Sequence, residues 1–285
     1  MEVKKEVIVG IIPLFNPTEI EIKNIQSYVN TLDYCFLLDD SGYSNINLCK
    51  KLMLLYPKKV EYICNKTNVG LCATVNKGFH LAISKGANWV LIMNPDGTFK
   101  NDAISIYRKF IRNNGTEKIG IIAPVFNIDR RPKEAKLGCR AVKYPDMSGC
   151  LYNCNILKEL GFYDINTYFY SLDVEYCIRV RKSGYQIIEC SEAVLNHKPG
   201  ETYEIKIFGK SIFKCGKDKP QRYYYQIRSG CYVHKKYHDS YNLFMTIYKI
   251  LKVIFLFNNK LEYFRMILWA YKDAKRGYYG KISER

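Results

Sequence analysis

Asp96 is a single carboxylate that follows one of the most apolar segments of the chain, the run ANWVLI at residues 87–92. Mg²⁺ and Mn²⁺ prefer oxygen ligands and are commonly held by one or two carboxylates together with substrate phosphates and water. The motif Asn94-Pro95-Asp96-Gly97 therefore predicts a divalent cation bound at the end of a strand. A plain turn is the alternative, because all four residue types favour turns.

Other polar side chains also follow apolar runs. Asp40 ends the run YCFLLDD, where a carboxylate accepts a hydrogen bond from a base or a ribose, or else serves a turn. Asn68, Gly70 and Asn76 follow the run VEYICN, and the two amides suit contacts with either the backbone or a nucleotide.

Asp173 and Glu175 open a predicted helix directly after the aromatic run Tyr168–Tyr170. An acid approached by aromatic rings suits a general base beside a sugar-binding surface. Capping is the alternative, because acids in the first turn of a helix are favoured by its dipole.

His197 follows a predicted short strand at 193–196, and a lone histidine is more often structural than a metal ligand. Arg222 and Arg228 bracket three tyrosines in the segment QRYYYQIRSG. This segment predicts an amphipathic helix with an exposed basic side, or a clamp for a pyrophosphate or a lipid phosphate.

Alternating strands and helices must position these residues. The predicted strands are 6–15, 34–42, 60–65, 88–97 and 119–127, and the predicted helices are 18–30, 46–56, 70–86 and 101–113. This order predicts an α/β fold with a mostly parallel central sheet flanked by helices. In such sheets the ligand site lies beyond the carboxyl ends of the strands, where all the polar clusters fall.

The second half of the chain is less regular. Residues 128–150 are rich in Lys, Arg and Gly and predict a mobile loop. A strand leading into a short helix is predicted over 149–164, and a helix over 171–185.

Two segments near the end, 241–257 and 261–276, are apolar or amphipathic and rich in aromatic residues. Such helices lie in a bilayer interface, or pack on the globular domain or a second subunit. The first is too short and too charged to predict a spanning helix. We predict a catalytic domain over 1–238, with a nucleotide half at 1–100 and an acceptor half at 101–238, followed by a helical segment at 239–285.

The composition narrows the class of partner. The chain has 285 residues, 44 Lys and Arg against 27 Asp and Glu, and a net charge of +17, so it should face nucleotide phosphates, nucleic acid or an anionic membrane. Its 25 tyrosines suit stacking on sugars or bases, or a membrane interface. The 11 cysteines lack a CxxC pair and favour reduced, buried thiols in a cytoplasmic protein.

The order of these motifs resembles the family 2 inverting glycosyltransferases with a GT-A fold, and especially their bacterial rhamnosyltransferase-like branch. The resemblance covers about residues 6–232. It rests on strands followed by Asn-Pro, Asp-Asp-Ser and Asn-Pro-Asp, on Asn-x-Gly, and on Leu-Asp-x-Glu-x-x-x-Arg-x-x-x-x-Gly-Tyr and Arg-Tyr-Tyr-Tyr. No single motif is specific, but their order and spacing together are.

The resemblance implies a role for each candidate residue. Asp173 would be the catalytic base, and Asp96 would hold Mg²⁺ or Mn²⁺, joined by His197. The donor nucleotide would lie against Pro13, Phe15, Asn16, Asp40, Asn68, Gly70, Asn76 and Asn94. The diphosphate or the acceptor would meet Glu175, Arg222, Arg228 and Tyr170.

Three residues depart from the family pattern. Asn94 replaces the usual first acid of the metal motif, which weakens metal binding or the ribose contact. Leu172 stands where many relatives have Glu, and Ser229 where the branch commonly has Asn. None of these departures removes the proposed base.

The implied function is transfer of a sugar from dTDP-rhamnose, or next from a UDP-hexose, to a polyprenyl-diphosphate-linked glycan in bacterial surface polysaccharide synthesis. We expect a cytoplasmic enzyme, peripheral on the inner face of the membrane, with no nucleic-acid partner. Homo-oligomerisation through the C-terminal helices is an alternative use of those segments. A sugar nucleotidyltransferase and a non-catalytic basic nucleic-acid-binding module are the rival functions, although PLFNPTE after the first strand lacks the Gly-rich loop of the former.

Overall fold

The computed structural model describes residues 6–197, 200–208 and 210–284. Its strands are β1 (Ile8–Leu14), β2 (Tyr34–Asp39), β3 (Val60–Cys64), β4 (Trp89–Ile92), β5 (Thr98–Phe99), β6 (Ile119–Asn127), β7 (Cys139–Ala141), β8 (Cys150–Asn153), β9 (Gln186–Asn196), β10 (Glu201–Ile207) and β11 (Lys210–Lys217). Its helices are α1 (Glu19–Gln26), α2 (Ile46–Leu55), α3 (Leu71–Ser84), α4 (Ala103–Asn113), α5 (Cys154–Leu160), α6 (Leu172–Lys182), α7 (Pro220–Tyr237), α8 (Ser240–Leu256) and α9 (Lys260–Arg276).

Over the described residues the chain divides into two compact units. The first comprises Met1–Phe162 and Arg179–Pro199, and the second comprises Tyr163–Ile178 and Gly200–Arg285. These units differ in their limits from the predicted domains 1–238 and 239–285, which stay a prediction.

The first unit is built on a mixed sheet with the strand order β3-β2-β1-β4-β8-β6-β9-β5, and β7 also pairs with β9. Strands β1 to β4 are parallel, as predicted, and β6 is parallel to β9. Strand β8 runs antiparallel between β4 and β6, because the chain after β6 turns back without a crossover helix. The predicted α/β fold is confirmed, and the sheet is mixed rather than purely parallel.

Apolar strands create the core of the first unit. Strand β1 is buried along its whole length, and β4 is likewise buried at every position. Helix α3 approaches the sheet closely at Gly78, where an added Cβ would lie 2.6 Å from Ile11 Cγ2 and 2.9 Å from Leu38 Cδ1. Any larger residue at Gly78 would push α3 away from the strands whose ends carry the polar clusters.

Strand β9 is longer than the predicted strand at 193–196. Polar residues interrupt the first half of β9. One of them, Glu189, accepts a hydrogen bond from Arg140 Nε of the neighbouring strand β7 at 2.7 Å. Because of these polar residues, the apolar periodicity of the sequence did not predict this part of the strand. Residues 128–150, predicted to be irregular, contain the short strand β7 and are otherwise without regular structure apart from the start of β8.

The second unit consists of the β10–β11 hairpin and the helices α7, α8 and α9, with the first turns of α6. Helices α8 and α9 match the two predicted C-terminal helices, and within the unit they pack on α7. At the α7–α8 crossing, a Cβ added at Gly230 would clash with Thr246 Oγ1, because the α7 backbone packs directly against the Thr246 side chain there. Among the helices of the described residues, none is both long and apolar enough to cross a bilayer.

Candidate functional site

The carboxyl ends of the parallel strands carry the predicted nucleotide residues. Asp40, which follows β2, is 5% exposed and accepts hydrogen bonds from the backbone N–H groups of Val69 and Gly70, each at 2.9 Å. Asn65 Nδ2 donates to the same carboxylate at 3.0 Å. Gly70 has φ +90°, a conformation that favours glycine, and it begins α3. Asp40 thus fixes the turn that leads into α3 at the carboxyl ends of the parallel strands.

A second set of hydrogen bonds links the segments that follow β1, β2 and β3. Asn16 follows β1 with φ +49°, and its N–H donates to Ser41 Oγ at 2.7 Å. The hydroxyl of Tyr43 donates to Asn16 Oδ1 at 2.8 Å, and Asn68 Nδ2 donates to the carbonyl of Asp40 at 2.9 Å. The sequence pattern did not point to Tyr43, because no periodicity marks a residue in a turn.

Exposed aromatic rings border the same edge. Phe15 and Tyr43 are 60% and 59% exposed, and each follows a strand of the parallel group. Pro13 is buried within β1, where it pairs in register with Leu38, so it supports the edge from below. Asn76 lies on α3 and is half-buried, one turn along from Cys72. The arrangement offers rings for stacking and amides for hydrogen bonding to a nucleoside.

Asp96 and His197 are brought together by the pairing of two strands. Thr98 of β5 is the antiparallel partner of Asn196 of β9, so the residue two positions before β5 meets the residue just after β9. His197 Nδ1 lies 3.6 Å from Asp96 Oδ1. The imidazole is 4% exposed, whereas the Asp96 side chain is 46% exposed.

The buried Nδ1 atom of His197 has no hydrogen-bond partner within the part of the chain that the structure describes. Buried polar nitrogens normally have a partner, so this atom calls for a bound group. A Mg²⁺ or Mn²⁺ ion about 2.1 Å from each ligand spans ligands up to about 4.2 Å apart, and the observed 3.6 Å falls within that reach. The residues therefore fit a divalent cation held from one side.

The electrostatics of Asp96 point the same way. Burial raises the pKa of the Asp96 carboxyl, and His197 opposes that shift while Asp146 and Glu21 add to it. A cation beside Asp96 would stabilise the ionised carboxylate and so offset this rise in its pKa. No group of three or more His, Cys, Asp or Glu residues suited to a metal occurs in the described residues, so substrate and water would have to complete the shell.

Asn94 stands where a second acid is expected, and its backbone is anchored by a residue far along the chain. Its N–H donates to Ser148 Oγ at 3.0 Å, and the N–H of Ser148 donates to Asp146 Oδ1 at 3.0 Å. Asp146 and Ser148 lie in the stretch that was predicted to be a loop. They place a further carboxylate near Asp96.

Asp173 lies in the first turn of α6, in the second unit. Its Oδ1 accepts a hydrogen bond from the N–H of Val174 at 2.8 Å, and the side chain is half-buried. The segment 168–171 before it contains two non-glycine residues with positive φ, Tyr168 at φ +54° and Ser171 at φ +61°. Such strain is kept only where the surroundings fix it, and it concentrates at functional sites.

Tyr170 and Arg222 belong to one network within the second unit. Arg222 Nη1 lies 3.3 Å from Asp218 Oδ1, and Gln226 Nε2 donates to Asp218 Oδ2 at 2.8 Å. Burial and the nearby Asp218 raise the pKa of Tyr170 to about 12, while hydrogen bonds with Gln226 and Arg222 act against the rise. The Arg222 side chain is 51% exposed and so is open to a ligand.

Glu175 and Arg228, which were predicted to meet the diphosphate or the acceptor, are both 0% exposed, and that role stays a prediction. Glu175 Oε1 accepts hydrogen bonds from Tyr237 Oη at 2.5 Å and Lys236 Nζ at 3.2 Å. These contacts join α6 to α7. Glu175 therefore stabilises the packing of α6 on α7.

Arg228 holds the end of the chain. Its Nη1 donates to the carbonyl of Gly280 at 2.6 Å and to Tyr224 Oη at 3.0 Å, and its Nη2 donates to the carbonyl of Tyr279 at 2.8 Å. The guanidinium is used within the protein and offers no open fork to a diphosphate. Helix α7 is thus largely buried at this arginine rather than basic and exposed.

Comparison with known proteins identifies the family. The family model described as Glycosyl transferase family 2 matches residues 11–154, which include Asp96 and Asp40 but neither Asp173 nor His197. No curated protein sequence matches the chain.

Two solved structures share the fold at low sequence identity. The crystal structure of GalNAc-T7 with UDP, GalNAc and Mn²⁺ has a TM-score of 0.64 and 12% identity over 96% of this chain, which spans 57% of that one. The crystal structure of S. aureus TarS 1-349 has a TM-score of 0.58 and 11% identity over 95% of this chain and 82% of that one. The likeness confirms the predicted GT-A fold, and the rhamnosyltransferase-like branch stays a prediction.

Proposed function

Because the chain belongs to glycosyl transferase family 2, we propose that it transfers a sugar from a nucleotide-diphosphate donor to a hydroxyl of a lipid-linked glycan, with inversion at the anomeric carbon. The donor is dTDP-rhamnose by preference and a UDP-hexose next. The pathway is the synthesis of a bacterial surface polysaccharide. The observation that carries the proposal is the Asp96–His197 pair at the end of the sheet.

Asp96 and His197 are the residues that hold the divalent cation. The ion supplies positive charge against the diphosphate that leaves with the nucleotide. A donor set of one imidazole and one carboxylate favours Mn²⁺ over Mg²⁺, because Mg²⁺ is held almost wholly by oxygen. The crystal structure of GalNAc-T7 contains Mn²⁺ together with UDP, in agreement with this choice.

The nucleoside lies along the strand ends of the first unit. Phe15 and Tyr43 offer exposed rings to the base, and Asn16, Asn68 and Asn94 offer amides to base and ribose. Asp40 positions these groups through the turn at Val69-Gly70, on the side of the site where the ribose or base binds.

Asp173 acts as the general base. It takes the proton from the acceptor hydroxyl as that oxygen attacks the anomeric carbon from the face opposite the leaving diphosphate. The C–O bond to the acceptor forms while the C–O bond to the diphosphate breaks, so one displacement inverts the configuration. No covalent enzyme intermediate is required.

The C-terminal helices bring the enzyme to an anionic membrane surface. Four residues of α8 that recur at helical spacing are well exposed: Phe244 at 63%, Ile247 at 46%, Leu251 at 43% and Phe255 at 74%. Apolar stripes of this kind insert into the bilayer interface, and the chain's net charge of +17 attracts anionic headgroups. This surface suits an acceptor carried on a polyprenyl diphosphate, and pairing of two copies through the same stripe is the alternative.

Family membership favours sugar transfer over the two rival functions, nucleotidyl transfer and nucleic-acid binding. A panel of nucleotide sugars, screened for protection against thermal unfolding with and without Mn²⁺, tests the proposal. We expect protection by one nucleotide sugar, dependent on Mn²⁺ and lost in Asp96→Asn. Protection by DNA or RNA alone, falling steeply with salt, would contradict it.

A further inference from the structure

The β10–β11 hairpin has one apolar face, and only part of that face is covered. Side chains alternate between the two faces of a strand, so Tyr203 and its partner Cys215 lie on the same face. The next pair along that face is Ile205 with Phe213. At the base of the hairpin, Cys215 is 4% exposed, and the Tyr203 ring meets the Phe257 ring edge-on with the centroids 5.7 Å apart. Phe213, further out, is 41% exposed, so the apolar face becomes open with distance from the helices.

The outer part of the hairpin, residues 205–214, is its tip and presents large apolar side chains to solvent. Phe208 directly follows β10 and is 100% exposed, and Ile212 of β11 is 63% exposed. The register of the two strands skips Ile212, which makes it the extra residue of a β-bulge, a feature that re-aims a side chain. Together with Phe213, these residues give the tip an apolar surface open to solvent. Concentrated exposed apolar surface of this kind is typical of a binding surface.

The hairpin tip is also positively charged. It contains Lys206, Lys210 and Lys214 and no Asp or Glu. Glu204 lies just before the tip, on the face opposite Phe213, and its carboxylate oxygens lie 3.3 Å from both Lys206 Nζ and Lys214 Nζ. Two lysines thus share one carboxylate while staying about half exposed, and such exposed pairs are weak, so positive charge remains for a partner.

An anionic bilayer is the partner that matches an apolar and basic surface. Aromatic and branched apolar side chains enter the boundary between headgroups and acyl chains, while lysines extend their charged ends to the headgroup phosphates. A second copy of the chain matches less well, because each copy carries a net charge of +17 and two tips would bring like charges together. Nucleic acid would account for the lysines but not for Ile212 and Phe213 beside them.

The base of the hairpin fixes the tip to the C-terminal helices. Lys252 Nζ of α8 donates to the carbonyl of Gly216 at 2.7 Å, and Tyr263 Oη of α9 donates to the carbonyl of Asp218 at 2.7 Å. The two strands have 7 and 8 residues, and at about 3.3 Å per residue they extend roughly 25 Å. A tip seated in a bilayer would therefore hold these helices at the same surface.

We propose that the hairpin tip inserts into the interface of an anionic bilayer, with Phe208 as its deepest anchor and the tip lysines against the headgroups. The inference goes beyond the proposed function, which assigns membrane binding to the C-terminal helices, and it does not depend on sugar transfer. Two separate anchors, the tip and the exposed stripe of α8, would fix the orientation of the second unit on the membrane as well as its attachment.

Photocrosslinking of the full chain tests the contact directly. The photoreactive residue p-benzoylphenylalanine replaces Phe208 in one variant and Leu137 in the matched control, because Leu137 is 92% exposed and lies outside the hairpin. Each variant is irradiated with vesicles of phosphatidylglycerol and phosphatidylcholine, and adducts are identified by mass spectrometry. We expect lipid adducts at position 208 and at least about tenfold fewer at position 137.

Vesicle binding provides a second measurement. Phe208→Asp should weaken binding to anionic vesicles about tenfold or more, because an anion replaces the anchor. Lys210→Gln should weaken the same binding about three- to fivefold and leave binding to neutral vesicles unchanged. Both side chains are exposed, so neither variant should change the fold. Leu137→Asp adds the same charge outside the hairpin and should stay within about twofold of the wild type.

Three results would overturn the inference. The first is wild-type binding to anionic vesicles without lipid adducts at position 208, which would leave the C-terminal helices as the anchor. The second is adducts at position 208 between two copies of the chain, which would identify a subunit interface. The third is a wild type that does not bind vesicles, whatever its activity. Lipid adducts at position 208 in a protein that transfers no sugar would contradict the proposed function and still support insertion of the tip.

Discussion

His197 Nδ1 and Asp96 Oδ1 lie 3.6 Å apart at the point where β5 pairs with β9. The distance is too long for a hydrogen bond and suits two ligands of one cation. The histidine comes from a strand far along the chain from the aspartate. The strand pairing thus brings the two proposed metal ligands together, and only one of them is a carboxylate.

The first prediction concerns metal affinity. The empty protein should bind Mn²⁺ weakly, and UDP or dTDP should tighten that binding because phosphate oxygens complete the shell. Asn94→Asp should strengthen Mn²⁺ binding by the empty protein about tenfold, and Asp96→Asn should weaken it by at least as much. Titration calorimetry with Mn²⁺, with and without each nucleotide, measures these changes. Tight Mn²⁺ binding by the empty wild type would count against the one-carboxylate site.

The second prediction separates the two arginines of α7. Arg228→Met should lower the free energy of unfolding by about 3 kcal/mol, because the carbonyls of Tyr279 and Gly280 lose a buried donor. Arg222→Met should change it by less than about 1 kcal/mol, because its pair with Asp218 is half exposed. Urea unfolding measures both. Equal stability of the two variants would refute the structural role given to Arg228.

The third prediction is a pH dependence of stability at the end of β2. Asp39 accepts hydrogen bonds from Ser41, Asn45 and Tyr62, and although burial opposes them, these bonds lower the pKa of its carboxyl overall. A lowered folded-state pKa stabilises the protein above the unfolded value of about 3.9, and this contribution fades as pH falls through the folded value.

Asp39→Asn should therefore lower the free energy of unfolding at pH 7, by about 1–3 kcal/mol. Its difference from the wild type should shrink steadily below about pH 4. Urea unfolding across this pH range measures the difference, and Glu134→Gln, at an exposed position, controls for the change in net charge. A difference that stays constant down to about pH 2 would show that the Asp39 charge does not matter.

The fourth prediction concerns the membrane. Phe244→Asp combined with Phe255→Asp should abolish flotation with anionic vesicles, because two exposed anchors of α8 become anions. Leu137→Asp is the matched control, since Leu137 is 92% exposed and lies outside the helices. If the wild type ignores vesicles but the double variant changes from dimer to monomer in light scattering, the stripe is a subunit interface.

The strand ends were predictable because each polar cluster followed an apolar run, and the run of β4 led directly to Asp96. The β10–β11 hairpin was not predicted, although Tyr203 and Ile205 alternate with Glu204 and Lys206 in the sequence of β10. Strand β11 is mostly exposed and has no such alternation, so no second strand marked a hairpin there. The internal hydrogen bonds of Arg228 could not be predicted, because the carbonyls that accept them lie 51 and 52 residues away, where no local pattern reports them. The hydrogen bonds of Glu175 could not be predicted for the same reason, since Lys236 and Tyr237 are distant in sequence. Sequence periodicity does not predict which distant residues a charged side chain contacts in the folded protein.

The central claim is that Asp173 serves as the base of a sugar transfer, and Asp173→Asn tests it most directly. Asparagine keeps the oxygen that accepts the hydrogen bond from Val174 N–H but cannot take the acceptor proton. With the donor found in the nucleotide-sugar screen, the measurement is the rate of transfer together with the Kd of that donor. The account predicts a rate at least about a hundredfold lower with the Kd within about threefold of the wild type. Transfer at the wild-type rate would contradict it.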